Sequence, residues 1–146
     1  ELTNRTLHET GLLPSSLVLE ITETMLMDNP QKSRDTLSKL HAAGIKIAID
    51  DFGTGYSSLA YLKKFPLSVL KIDKTFVDDV VNSLEDMAII GAILSLADGL
   101  NLQVVAEGVE NDAQLGFLRE EGCDLIQGYL TGRPINAEAF KEQHIA

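Results

Sequence analysis

Tryptophan is absent from these 146 residues, cysteine occurs once and proline four times. One cysteine cannot close an internal disulfide, and no Cys/His pair stands at zinc spacing, so disulfide scaffolds and thiolate metal sites are excluded. Cys123, beside Gly122, reads as a small apolar residue leading into a strand. Positive charge is scarce: 12 Lys+Arg against 22 Asp+Glu give a formal net charge of -10. A protein that coats polymeric nucleic acid needs clustered Lys/Arg to displace counterions, so no such partner is expected. One small anionic ligand held through metal ions stays compatible with that charge. No apolar run approaches the roughly 20 residues of a membrane span, and no charged start followed by an apolar core marks a signal peptide. A cytoplasmic location is expected, with membrane anchoring of a longer parent protein left open. The first residue is Glu rather than Met, which leads us to expect a processed or partial chain.

What is present is 45% hydrophobic with a mean hydropathy of +0.05, the composition of a globular domain. Short β-branched runs alternate with longer helical patterns. The predicted strands are Leu17–Thr22, Ile45–Asp50, Ser68–Asp73, Leu102–Gly108 and Asp124–Leu130. Helical patterns lie between them, near Pro30–Ala43, Ser57–Lys64, Leu84–Leu100 and Ala113–Glu121, and another follows Asn136. Gly44 and Gly122 sit where C-terminal caps belong, and Asn111 and Asn136 at N-caps. This rhythm implies right-handed βαβ units, a parallel sheet and a single α/β unit.

About five parallel strands fit an open doubly wound sheet or part of a (β/α)8 barrel. "GTGYSS" supplies only the first two glycines of a dinucleotide fingerprint, and it is not repeated after the first strand. A barrel predicts chemistry at the C-terminal ends of several strands. The polar residues fall there: Glu20, Asp50 with Asp51, Lys71 with Asp73, and Glu107, with Gln127 inside the fifth run. Alternation puts Lys71 and Asp73 on one face and Leu70 and Ile72 on the other. A single acid at a strand end is more often a cap or turn former; acids or a lysine at four strand ends point to a shared site. Clustered carboxylates repel unless a cation compensates. An oxygen-rich set without thiolate or nearby His suits Mg²⁺ or Mn²⁺ rather than zinc. His8, His41 and His144 fall on helical or terminal segments and read as surface residues. Asp51-Phe52-Gly53 spells a kinase metal triplet, but the other kinase motifs are missing.

The runs "LEITE", "DDFGTGYSSL", "LKIDKTFV", "VVAEGVE" and "QGYLTGRP", in this order, resemble the EAL-domain cyclic di-GMP phosphodiesterases of bacterial signalling. The resemblance covers essentially the whole chain. It implies a TIM-like barrel that hydrolyses one phosphodiester of cyclic di-GMP to linear pGpG with two Mg²⁺ or Mn²⁺ ions. By position, Glu20 and Asp50 look like metal ligands, and Asp51 is similar to the residue completing the second-metal site. Lys71 matches the lysine that holds the attacking water, and Glu107 a glutamate assigned to metal binding and general-base work. Gln127 matches a glutamine lining the site, and Asp73 is expected to orient substrate or water. Glu23 resembles the glutamate anchoring a mobile loop, here Gly53, Thr54, Gly55 and Tyr56.

The resemblance departs in one respect. The strand with the Glu-Ala-Leu signature, its metal-binding Glu and a nearby Arg are not among these residues, nor is a ligating Asn; Asn4 does not stand in for it. Residues 1–146 are therefore expected to be the C-terminal portion of a single EAL domain, beginning after its first three strands. Such a fragment is expected to be a truncation or proteolytic product, inactive alone and sustained by pairing as a homodimer. An upstream sensor or GGDEF cyclase domain in the parent protein is left open. The alternative is a catalytically degenerate EAL domain that serves as a cyclic di-GMP receptor or a protein-interaction module.

Overall fold

The computed structural model describes residues 2–55 and 62–145. Helix α1 (Leu2–Thr10) and a short 3-10 turn (Pro14–Ser16) lead into β1 (Val18–Thr22), α2 (Glu23–Asp28) and α3 (Pro30–Ala42). Strands β2 (Lys46–Phe52) and β3 (Val69–Ile72) precede α4 (Lys74–Val77) and α5 (Leu84–Gly99). Strand β4 (Gln103–Glu107), α6 (Asp112–Glu120), β5 (Leu125–Gln127) and α7 (Ala137–His144) complete the described elements. The strands form one five-stranded sheet in the order β1-β2-β3-β4-β5, with every pairing parallel. Sequential parallel order with intervening helices is the arc of a (β/α) barrel rather than a doubly wound sheet.

Local chemistry sets the boundaries. Asn29 accepts from Lys32 N at 3.2 Å and Pro30 opens α3, a pairing of N-cap and proline that starts helices. Asn111 and Asn136 cap α6 and α7, and Gly44 and Gly122 adopt φ of 88° and 82° just past α3 and α6, as the sequence predicts. Most strand boundaries fall within one residue of prediction, and two depart further. β2 runs past Asp50 to Phe52. β5 stops at Gln127, because Thr131 N and Gly132 N both fold back onto Gly128 O.

The core sits on both faces of the sheet centre. All four residues of β3 are buried, as expected of a strand covered on each side. Ile47, Ile49, Leu70 and Ile72 are inaccessible to solvent and meet Ile90, Ile93 and Ala97 of α5 and Leu118 of α6 in one cluster. Each such aliphatic side chain contributes about 1.5–3 kcal/mol on burial. This rigid centre carries the one buried cation among the described residues, Lys71, at 5% exposure.

Candidate active site

Lys71 reaches the C-terminal end of the sheet from β3, and its ammonium meets carboxylates from three other strands. Nζ lies 2.8 Å from Glu20 Oε2 of β1, 3.0 Å from Asp50 Oδ1 of β2 and 2.7 Å from Glu107 Oε1 of β4. Burial opposes the ammonium charge, yet its close contacts with the three carboxylates hold its pKa above the ordinary lysine range. Lys71 therefore stays charged throughout the neutral range and acts as an electrostatic group, not as a base.

Asp50 and Asp51 are neighbours, so a regular strand would send them to opposite faces. The backbone prevents that. Ile49 pairs with Leu70 and Phe52 with Ile72, so β2 carries one more residue than β3 over this interval. The extra residue is a bulge, and Asp51 within it has φ of 53°, the left-handed region that Asp tolerates better than most residues. As a result Asp51 joins Asp50 and Glu107: one carboxylate oxygen from each lies within 4.8 Å of the others. Burial, then the charges of Asp50 and Asp73, push the Asp51 carboxyl above its ordinary pKa. Burial also raises Glu107, and the Lys71 ammonium only partly opposes it. No hydrogen bond of good geometry reaches the buried Asp50 Oδ1, although the Lys71 ammonium is 3.0 Å away.

Four carboxylates around one ammonium leave an excess of negative charge, and an acceptor oxygen of Asp50 lacks a full partner. An all-oxygen trio of this kind fits a hard divalent cation. Asp50, Asp51 and Glu107 bring one oxygen each close enough to hold it, while Glu20, its side chain 48% exposed, shares the Lys71 ammonium with Asp50 and Glu107.

The other predicted residues divide. Asp73 caps α4, accepting from Thr75 N at 2.9 Å, while its charge bears on Asp51. Gln127 is exposed on β5, paired in register with Glu107, and its carbonyl accepts from Val109 N at 3.1 Å. Glu23 is 3% exposed at the start of α2 and accepts from Gly53 N at 3.4 Å through Oε2, while Oε1 has no hydrogen-bond partner among the described residues. Gly53 packs on the Phe76 ring and Gly55 on the Glu23 carboxylate, and Thr54 Oγ1 turns back to Asp51 O at 2.9 Å. Tyr56 lies outside the described residues.

The EAL domain family matches residues 1–134. The chain belongs to the EAL family. Over 136 residues it is 49% identical to the cyclic di-GMP phosphodiesterase NbdA of Pseudomonas aeruginosa, covering 93% of this chain and 17% of that protein. It is 51% identical over 128 residues to the bifunctional diguanylate cyclase/cyclic di-GMP phosphodiesterase MucR of the same species, covering 88% of this chain and 19% of that protein. The solved PaMucR phosphodiesterase–c-di-GMP complex matches with TM-score 0.90 and 48% identity, over 94% of this chain and 56% of that one. The manganese/cyclic di-GMP complex of Klebsiella pneumoniae BlrP1 at pH 9.0 matches with TM-score 0.83 and 38% identity, over 89% of this chain and 33% of that one. The chain thus spans less than a fifth of the length of these curated relatives.

Two features of this EAL chain escaped sequence reasoning. One is the bulge at Asp51; two acids followed directly by Phe52-Gly53 were its only trace. The other is Gln114, a buried polar residue on α6 three positions after the predicted cap Asn111.

Proposed function

We propose that the protein carrying this chain hydrolyses one phosphodiester of cyclic di-GMP to linear pGpG, using Mg²⁺ or Mn²⁺. The observation that supports this most is the buried Lys71 ammonium gathering Glu20, Asp50 and Glu107 from three strands beside the Asp50–Asp51–Glu107 trio. A phosphodiester brings negative charge, and hydrolysis concentrates more on its equatorial oxygens. Lys71 offers a fixed positive charge for an incoming water or phosphoryl oxygen. Because Lys71 remains protonated, the proton acceptor is a carboxylate, and Glu107, with its raised carboxyl pKa, fills that role. Asp50 and Glu20 keep the ammonium in place, while Asp73 and Gln127, at the ends of the neighbouring strands, orient substrate or water. Bound between Asp50, Asp51 and Glu107, a divalent cation would supply Lewis-acid polarisation and charge neutralisation, with a second ion expected beside Asp51. Glu23 and the segment Gly53, Thr54, Gly55 and Tyr56 serve as a loop that adjusts when ligand binds.

In this reading residues 1–146 are the C-terminal portion of a cytoplasmic EAL domain and need the remainder of the barrel. Among the described residues β1 and β5 each pair on one side only, and Glu20 sits half exposed at the β1 side. The 146-residue chain alone is accordingly expected to be inactive and to self-associate as a homodimer, with a sensor or GGDEF domain completing the parent. The test is chromatographic detection of pGpG from the full-length protein with Mg²⁺ or Mn²⁺. Lys71→Met should lower kcat by about 10²–10³-fold. Wild-type protein that produces no pGpG with either ion rejects the proposal.

A further inference from the structure

Gln114 occupies the third position of α6 and closes a capping box: its N–H donates to Asn111 Oδ1 at 3.0 Å, and Asn111 N donates to its Oε1 at 3.2 Å. Capping accounts for the side-chain oxygen but not for the nitrogen. In an ordinary box the amide would turn its N–H groups to water. Here Nε2 points inward and donates to Val77 O at 3.1 Å and Asp78 O at 3.2 Å, at the end of α4. Oε1 takes a second bond, from Glu110 N at 2.8 Å. Two carbonyls on one side and two N–H groups on the other fix the orientation of the amide. The residue is 3% exposed, so these bonds are made away from water and breaking one leaves a buried group unpaired.

The partners lie on the segments that follow the two most important strands. Helix α4 begins directly after Asp73, two residues past Lys71; Glu110 is three residues past Glu107. Gln114 therefore bridges the segments that follow β3 and β4, from the end of α4 to Glu110 and Asn111. Two nearby contacts run the same way. Lys74 Nζ meets Glu110 Oε1 at 2.8 Å, and a Cβ on Gly108 would lie 2.4 Å from Lys74 Cγ, so the backbone of the β4 loop rests on that side chain.

We infer that Gln114 is a positioning residue: beyond the paired strands, it ties the segment that leaves Glu107 to the end of α4 and so steadies the 2.7 Å contact between Lys71 Nζ and Glu107 Oε1. For its effect on turnover the inference rests on the proposed hydrolysis; for its effect on cation binding it does not. Groups that orient a metal ligand from outside typically carry 10–100-fold in affinity or activity.

Gln114→Glu separates the two halves of the bridge. It retains an acceptor for the Glu110 and Asn111 N–H groups but turns a second carboxylate oxygen onto the Val77 and Asp78 carbonyls. Gln114→Ala removes both halves and calibrates simple destabilisation. Measurements use the full-length protein at a temperature where circular dichroism reports each variant fully folded. Gln114→Glu should weaken Mn²⁺ binding, read by calorimetry, by about 10-fold or more, and lower kcat for cyclic di-GMP similarly while KM stays within about threefold. A lowered Tm with unchanged Mn²⁺ affinity and kcat would reduce Gln114 to a helix cap and overturn the inference. If the wild type binds Mn²⁺ but yields no pGpG, the hydrolase reading fails alone. Mn²⁺ affinity then decides the positioning role: a tenfold loss in Gln114→Glu upholds it, and none overturns it.

Discussion

The segments that follow β2 and β4 both lead away from carboxylates of the candidate site, yet they are held in opposite ways. After β4, Val109 N donates to Gln127 O at 3.1 Å, Leu130 N donates to Val109 O at 3.0 Å, and Gln114 ties Glu110 and Asn111 to α4. After β2, the described residues Gly53–Gly55 are held by one long hydrogen bond, 3.4 Å from Gly53 N to the buried Glu23 carboxylate, and by Thr54, whose N and Oγ1 turn back locally onto Asp51 O. β2 also carries a left-handed aspartate one residue before its end, whereas β4 continues into Gly108, φ 72°, where no side chain pays for that conformation. Glu107 is thus mounted on a clamped support, and Asp51 on one that stores strain and can yield. The proposed hydrolysis, which asks Glu107 to stay steady while a charged ligand enters, would benefit from both.

The sharpest way to break the comparison is to place a methyl group where the β4 segment is tightest. A Cβ on Gly128 would fall 2.1 Å from Val109 O and 2.3 Å from Val109 N, main-chain atoms already committed to hydrogen bonds. They cannot retreat without undoing the clamp. Gly128→Ala should cost about 3 kcal/mol, the upper end for overpacking, read as a lower denaturation midpoint with unchanged slope. A loss under about 1 kcal/mol would mean that the β4 segment is as yielding as the β2 one.

Asp51 carries the next effect, and its sign is opposite. A glycine there escapes the left-handed penalty but loses more backbone freedom on folding, so Asp51→Gly should stabilise the fold by at most about 1 kcal/mol while removing one carboxylate of the Asp50–Asp51–Glu107 trio. Denaturation and Mn²⁺ titration of the same variant measure the two consequences. Stabilisation without loss of Mn²⁺ affinity would take Asp51 out of the cation site. At Gly55, by contrast, an added Cβ meets Glu23 Oε1 at 2.6 Å, the far end of a side chain. The carboxylate can swing aside for the loss of one long hydrogen bond, so Gly55→Ala should cost about 0.5–1 kcal/mol. Equal losses at Gly55 and Gly128 would erase the distinction between the segments.

Most of this architecture was legible because it rests on residue type and period. β-branched runs such as Val69–Ile72, caps such as Asn111 and Asn136, and acids at strand ends each leave a local mark. The strand-end pattern brought Glu20, Asp50, Lys71 and Glu107 together before any coordinates, and the ion pairs of Lys71 join the same four. Alternation failed at Asp51, because a bulge is a change of register between strands and the pattern of one strand does not record it. It placed Asp73 beside Lys71, whereas the chain has already turned into α4 there and the carboxylate accepts from Thr75 N. Gln114 was invisible for another reason. Its partners are main-chain carbonyls 37 and 36 positions away, and a carbonyl looks the same under every side chain.

The smallest expected effect separates the two devices that tie the β4 segment to α4. Lys74 and Glu110 meet at 2.8 Å, but with 49% and 44% exposure they remain largely in water. The hydrogen bond between them raises the Lys74 pKa and lowers that of Glu110. A glutamate with a lowered folded pKa contributes stability above its ordinary pKa, about 4.3, and loses it as pH falls through the folded value. A lysine with a raised folded pKa contributes fully below about 10.4 and loses it as pH rises through the folded value. The pair's contribution should therefore be flat through neutral pH and fade at both extremes. Glu110→Gln at pH 7 should shift the denaturation midpoint less than Gly55→Ala, and the shift should vanish near 1 M salt, where screening acts over about 3 Å. A larger shift that persists in salt would make this ion pair, rather than the buried amide of Gln114, the support on which Glu107 depends.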